Sequence, residues 1–165
     1  MEYCLAADRD LGLLAEWNHH LLRDEGHRNP MTVPGLRERM KGGLGDEYTA
    51  VIFGTTAEPV ASALCREKTT EVSRRQLFVR RDRRREGIGR TAVAILRNHL
   101  WPRHKRWTVE VLTATAPAGA FWRSIGYKDY CLTLEILPEQ DGEQSAAADV
   151  RPRAAEQQPP PPGSR

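Results

Sequence analysis

Residues 76–90 read QLFVRRDRRREGIGR and gather the side chains best suited to chemistry in this chain. Arginines at 80, 81, 83, 84 and 85 precede Gly87-Ile88-Gly89. Beyond the glycines, Ile88, Ala92, Ile95, Leu96 and Leu100 fall on one helical face, so a helix opens at the glycine pair. A helix start leaves several backbone N–H groups unpaired and carries the positive end of the macrodipole, and glycine lets a polyanion approach the backbone closely. The stretch therefore reads as a socket for phosphate with arginine charge beside it. The other reactive side chains are Cys4, Cys65 and Cys131, odd in number and far apart, without zinc-type spacing. No metal site is expected, and the thiols read as reduced and mostly buried.

The elements that must position this socket follow from periodicity. A short apolar run at 2–7 is a first strand, and Asp8 or Asp10 caps a helix with the stripe Leu11, Leu14, Trp17 and Leu21. Gly26 and Asn29-Pro30 break the pattern, Thr32 caps a second helix carrying Leu36, Met40 and Leu44, and the glycines at 42, 43 and 45 end it. Segments 48–54 and 60–67 form a hairpin, and a third strand runs to Val79. The helix after the glycines stops by Trp101, because Pro102 follows. The β-prone run 106–114 then makes a strand parallel to the one ending at Val79. A short helix at 118–124, a turn at Gly126 and a strand at 130–137 complete a mixed α/β domain of the α+β class.

The 165 residues suit one domain, assigned to 1–138. Residues 139–165 hold almost no large apolar side chain and end in a proline run, so they read as a disordered Pro/Gln/Ala-rich tail. That tail has five acids against three arginines, which raises the formal charge from +3 for the chain to +5 for residues 1–138. Residues 74–90 alone hold eight arginines against Asp82 and Glu86, leaving the remainder near −1. Charge this local fits a focused anion site better than a nucleic-acid-coating surface, which spreads basic residues over several elements. No basic start with an apolar h-region and no membrane-length run occurs, so a cytoplasmic protein without membrane or nucleic-acid partners is expected.

Gly87-Ile88-Gly89-Arg90-Thr91-Ala92 satisfies the dinucleotide pattern G-x-G-x-x-A, but seven residues separate it from Val79 where a Rossmann turn is tight, and the preceding hairpin is antiparallel. A P-loop is excluded because no Gly-Lys-Ser/Thr follows. Arg84-Arg85-Glu86-Gly87-Ile88-Gly89, five residues after a strand ending in Val79, resembles instead the acetyl-CoA signature Gln/Arg-x-x-Gly-x-Gly/Ala of the GNAT N-acetyltransferase superfamily. Ala120-Phe121-Trp122-Arg123-Ser124-Ile125-Gly126-Tyr127 is similar to that family's later helix and turn. The resemblance implies a GNAT-like fold, a mostly antiparallel sheet with one splayed parallel strand pair flanked by helices. It also implies acetyl-CoA as cosubstrate. Main-chain groups of Leu77, Phe78 and Val79 would pair with the pantetheine arm as an added strand. Amides of Arg84, Arg85, Glu86, Gly87, Ile88, Gly89 and Arg90 would hold the pyrophosphate, with Thr115 and Trp122 on the cofactor's far side.

The chain also departs from that pattern. Trp122 stands where many members carry a thiolate-protonating tyrosine, Thr115 replaces a frequent asparagine, and Ser73 stands where some members have a basic carboxylate. The acceptor side would lie in the connection between the first two helices, where Asp24, Glu25, His27 and Asn29 cluster. There a carboxylate could attract a cationic amine, and Glu25 and His27 are the candidates for catalysis. The same residues also suit a solvated helix end and a loop whose side chains bond their own backbone. The function expected is acetyl transfer from acetyl-CoA to a primary amine of a small molecule or peptide, the alternative being a non-catalytic CoA-binding module. The last strand offers an edge through which a homodimer could form.

Overall fold

A computed structural model describes residues 1–101 and 104–137. The chain divides into two compact units, Met1–Asp129 and Tyr130–Arg165. The first unit is built on a five-stranded sheet in the order β1-β2-β3-β4-β5. β1 (Tyr3–Leu5), β2 (Thr49–Gly54), β3 (Pro59–Glu67) and β4 (Glu71–Val79) are antiparallel neighbours, and β5 (Arg106–Val109) joins β4 in parallel. The α-helices among the described residues are α1 (Leu11–Asp24), α2 (Val33–Lys41), α3 (Ile88–Ile95) and α4 (Ala116–Ser124).

Both faces of the sheet are covered, which explains the unbroken apolar run in β2. Its Ala50 and Ile52 pack with Leu11, Leu14, Leu36 and Met40 of α1 and α2. The alternate residues Val51 and Phe53 pack on the other face with Ala61, Ala63, Ala92 and Leu96. Period-two alternation sends neighbouring side chains to opposite faces, so a doubly covered strand has no polar side. The Thr32 hydroxyl caps α2 by accepting from the Gly35 amide at 3.4 Å. α3 continues as a wider π-helical turn over Leu96–Leu100 and closes with the Trp101 amide on the Leu96 carbonyl at 3.2 Å.

Three expectations change. The strand predicted over 106–114 pairs only as far as Val109. The strand predicted at 130–137 is absent: the alternation of Tyr130, Leu132, Leu134 and Ile136 suits a strand, but the segment finds no ladder partner among the described residues, and a strand exists only through its ladder. Of the three thiols only Cys65 is buried, while Cys4 and Cys131 are exposed. The assignment of 139–165 to a tail falls outside the described residues.

Candidate functional site

The two edges of β4 differ. Toward β3 it pairs along nearly its whole length, from Glu67↔Val72 to Ala61↔Val79. Toward β5 it pairs only from Glu71↔Arg106 to Arg74↔Val109. Opposite this last pair the β3–β4 register shifts between Leu64 and Cys65, leaving Arg75 as an extra residue that bends and twists the strand. The closed end is pinned by Arg106 on Glu71 at 2.7 Å and Lys105 on Glu67 at 2.5 Å. Residues 75–79 therefore present an edge to which no strand is added among the described residues.

The Arg80 amide donates to the Val60 carbonyl at 3.0 Å, so by alternation the main chain of Phe78 also turns toward β3. Leu77 and Val79 are left to face the open edge. Phe78 acts through its side chain, packed 5.3 Å from the Trp17 ring.

The loop after β4 spends its arginine charge on carboxylates. Arg84 donates Nε to the Val79 carbonyl at 3.0 Å and Nη2 to Asp24 at 2.5 Å. Arg81 holds the same Asp24, Arg80 holds Asp82 at 2.6 Å, and Arg83 holds Glu58 at 2.7 Å and Glu86 at 3.1 Å. Burial alone would raise the Asp24 carboxyl, but hydrogen bonds from Arg81 and Arg84 outweigh it and hold the group below the ordinary carboxylate range. Arg90 donates to the Ser124 carbonyl at 3.4 Å, and Arg85 has no partner among the described residues.

What the turn offers an anion is its backbone. Arg85 (φ 71°) and Gly87 (φ 79°) are both left-handed, and the amides of residues 85–90 have no acceptor among the described residues. A Cβ on Gly87 would meet nothing within 4 Å. A Cβ on Gly89 would lie 3.2 Å from Phe121 Cζ and 3.7 Å from Val79 Cγ2. The second glycine thus serves the packing of α3 against Phe121, and the two sequence motifs meet at that contact.

Across the opening, the end of α1 is tied to both sides. Asp24 is held by Arg84, and the carbonyl of the next residue, Glu25, accepts from the Thr115 hydroxyl at 3.4 Å at the start of α4. Burial pushes the Glu25 carboxyl up, with His27 opposing and Asp24 reinforcing the rise. His27 Nδ1 accepts from the Asn29 amide at 3.0 Å, and Asn29 Oδ1 accepts from the Met31 amide at 2.9 Å. These two side chains bond their own loop, and the imidazole nitrogen with the free lone pair is already in use. A groove of about 370 Å³ beside them is lined by His19, Leu22, His27, Asn29 and Met31.

Two features escape the sequence reading. Asn18 is 2% exposed and accepts from Gln76 Nε2 at 2.7 Å, bracing α1 on the bulged part of β4. Arg74 is 1% exposed, and among the described residues its guanidinium nitrogens meet no oxygen acceptor, only the Cys65 thiol. Its charge is caged by aromatic faces, with Trp122 at 4.6 Å, Trp107 at 5.5 Å and Tyr127 at 5.8 Å. Cation–π contacts in dry surroundings contribute roughly 2 kcal/mol each, while burial of an ion costs several. The available signal was parity: Val72 is fully buried, and Arg74 follows it by two on the same face, before the bulge.

No protein-family profile matches the chain, and no curated protein does. Solved structures do match. A possible acetyltransferase from Clostridium difficile 630 is 15% identical with a TM-score of 0.67, over 84% of this chain and 98% of that one. The aminoglycoside antibiotic 6'-N-acetyltransferase AAC(6')-IG from Acinetobacter haemolyticus is 12% identical with a TM-score of 0.66, over 86% and 100%. A predicted acetyltransferase from Clostridium acetobutylicum, solved with acetyl-CoA, is 17% identical with a TM-score of 0.63, over 82% and 95%. At these identities the likeness is one of fold: the chain has the mixed α+β fold of the GNAT-type acetyltransferases.

Proposed function

We propose that this chain is an acetyl-CoA-dependent N-acetyltransferase that transfers acetyl directly to a primary amine of a small molecule or peptide. The observation that carries the reading is two stretches of unpaired backbone in succession: the outer edge of β4 at Leu77 and the Val79 N–H, with the Val79 carbonyl held by Arg84, and then the free amides of residues 85–90. An edge with alternating donors and acceptors accepts an amide-bearing arm as it would a strand. A left-handed turn of free amides at a helix start accepts a pyrophosphate. The fold is shared with a structure solved with acetyl-CoA, which supports the same donor here.

Three chemical demands then fall on this chain's residues. The acceptor amine must lose a proton, and Glu25, whose carboxyl is raised by burial, is better suited as the base than His27 with its occupied Nδ1. The developing oxyanion needs a donor, which the Leu77 N–H, the inner of the two on the open edge, supplies. The departing sulfur must be stabilised without the tyrosine that Trp122 replaces. Asp24 is committed to Arg81 and Arg84 and leaves acceptor recognition to other groups.

Calorimetric titration of the purified chain with acetyl-CoA tests the reading, and absence of binding at millimolar donor would end it. Mass detection of acetylated product from an amine library separates the enzyme from a non-catalytic CoA-binding module. The carboxylate pairing of Arg80, Arg81, Arg83 and Arg84 removes the main motive for a nucleic-acid binder.

A further inference from the structure

The aromatic cage around Arg74 lies where the paired part of β4 and β5 ends. Arg74↔Val109 is the last pair, Trp107 is on β5, and Trp122 and Tyr127 come from α4 and the turn after it. The faces of the guanidinium are covered by π-systems, its one side-chain acceptor is the weak thiol of Cys65 across the ladder, and its N–H groups meet no oxygen acceptor among the described residues. Trp107 Nε1 and Tyr127 Oη are buried and without a hydrogen-bond partner among the described residues as well. Apart from the phenol oxygen, which can do either, every orphan here is a donor. The nearby titratable groups are Cys65 on β3 and the Tyr127 phenol. Burial pushes the Cys65 thiol up to about 11 against the charge and the hydrogen bond of Arg74, so the thiol stays neutral and, though it touches Arg74, supplies no counter-anion. The site lacks an anion.

Arg74 precedes Leu77 by three residues, roughly 10 Å along a strand, on the side of the open edge away from the phosphate turn. An arm running from residues 85–90 past Val79 and Leu77 would end beside this cage, and because Arg74 is 1% exposed, contact with it requires a ring of the cage to move aside. We propose that Arg74 is a catalytic residue that receives the sulfur of coenzyme A, its guanidinium stabilising the thiolate as acetyl leaves. The inference rests on the acetyltransferase reading above. In the step, the acceptor nitrogen bonds to the acetyl carbon as the carbon–sulfur bond breaks. The sulfur departs with the bond's electron pair toward Arg74, and the proton lost by the amine passes through the base to solvent. This supplies the stabilisation that the tryptophan at 122 cannot give as an acid, with Trp122 holding the guanidinium in place.

The test compares coenzyme A with acetyl-CoA, which has no ionisable thiol, by calorimetric titration across the pH range of thiol ionisation, with the ultraviolet absorbance of the thiolate followed in parallel. If Arg74 faces the sulfur, the bound thiol ionises at least one unit below free coenzyme A, whose ordinary thiol value is ~8.5. The ratio of coenzyme A to acetyl-CoA affinity then rises about tenfold or more with pH. Arg74→Met abolishes the rise and Arg74→Lys keeps part of it. If both ligands bind the wild-type chain with a ratio constant in pH, the role of Arg74 is overturned while the acetyltransferase reading stands. If neither binds, that reading itself fails. The wild-type measurement decides even where a variant does not fold.

Discussion

The arginine loop after β4 and the buried end of β4 hold the same residue type in opposite circumstances. Arg80, Arg81, Arg83 and Arg84 lie at the surface, each already held by a carboxylate. Arg74 lies inside, with three ring faces around it, a neutral thiol beside it and no carboxylate among the described residues. Formal charge along the sequence therefore does not locate charge available to a ligand. In the loop the arginines shape a turn whose backbone amides are free, and in the interior one arginine keeps its hydrogen-bonding capacity unspent. Water explains the difference: an exposed ion pair gains little beyond geometry, whereas an unpaired ion in a dry cage gains strongly from any anion that reaches it.

Substitutions break this contrast at different points. Trp122→Ala opens the cage and leaves a cavity in the core beside Tyr127, 5.2 Å away, and is expected to cost about 3 kcal/mol or more of stability in urea denaturation. Glu25→Gln tests the base: kcat/KM is expected to fall about 100-fold. Because burial raises the Glu25 carboxyl, the acidic limb of the wild-type pH profile should lie above the usual carboxylate value of ~4.3. The same sign makes Glu25→Gln stabilising as pH rises through the raised folded value, since the native state then no longer holds a disfavoured charge.

Gly87→Ala forces a side chain into a left-handed position with open space around it, so strain of about 1 to 2 kcal/mol is expected without steric clash, read as a lowered Tm together with weaker acetyl-CoA binding. Asp24→Ala releases Arg81 and Arg84 and should cost about 1 kcal/mol near neutral pH. Its folded carboxyl is depressed, so the contribution is present above the unfolded value of ~3.9 and is lost as pH falls through the folded one. The gap between wild type and variant closes in acid. Thr32→Ala, remote from both regions, removes a cap whose bond is long at 3.4 Å and should cost only about 0.5 kcal/mol.

Most of the scaffold was legible in the sequence because it follows from local pattern. The stripe of α1, the Thr32 cap, the hairpin and the glycine-led helix are each specified by neighbours a few residues away. The open edge of β4 beyond its pairing with β5 was legible only through the resemblance of residues 84–89 to a known signature. The bulge at Arg75 was hidden, since it is set by pairing with β3, and with it went the division of labour between Phe78 and its neighbours, whereas the inward placement of Arg74, ahead of the bulge, was signalled by its parity with Val72 alone. The partners of the arginines were hidden too: Asp24 is 57 and 60 positions from the residues that hold it. Segment 130–137 shows the converse, a strand-like pattern whose local signal could not supply a ladder.

Amide-resolved hydrogen exchange with and without saturating acetyl-CoA tests the central claim, that unpaired backbone from β4 to α3 is the donor's seat. The amides of Leu77 and Val79 and of residues 85–90 should exchange freely in the unliganded chain and slow on addition of acetyl-CoA, while Phe78, bonded to β3, is slow in both. Protection confined to other segments, or an unchanged exchange rate at Val79 and across 85–90 in the saturated protein, would contradict it.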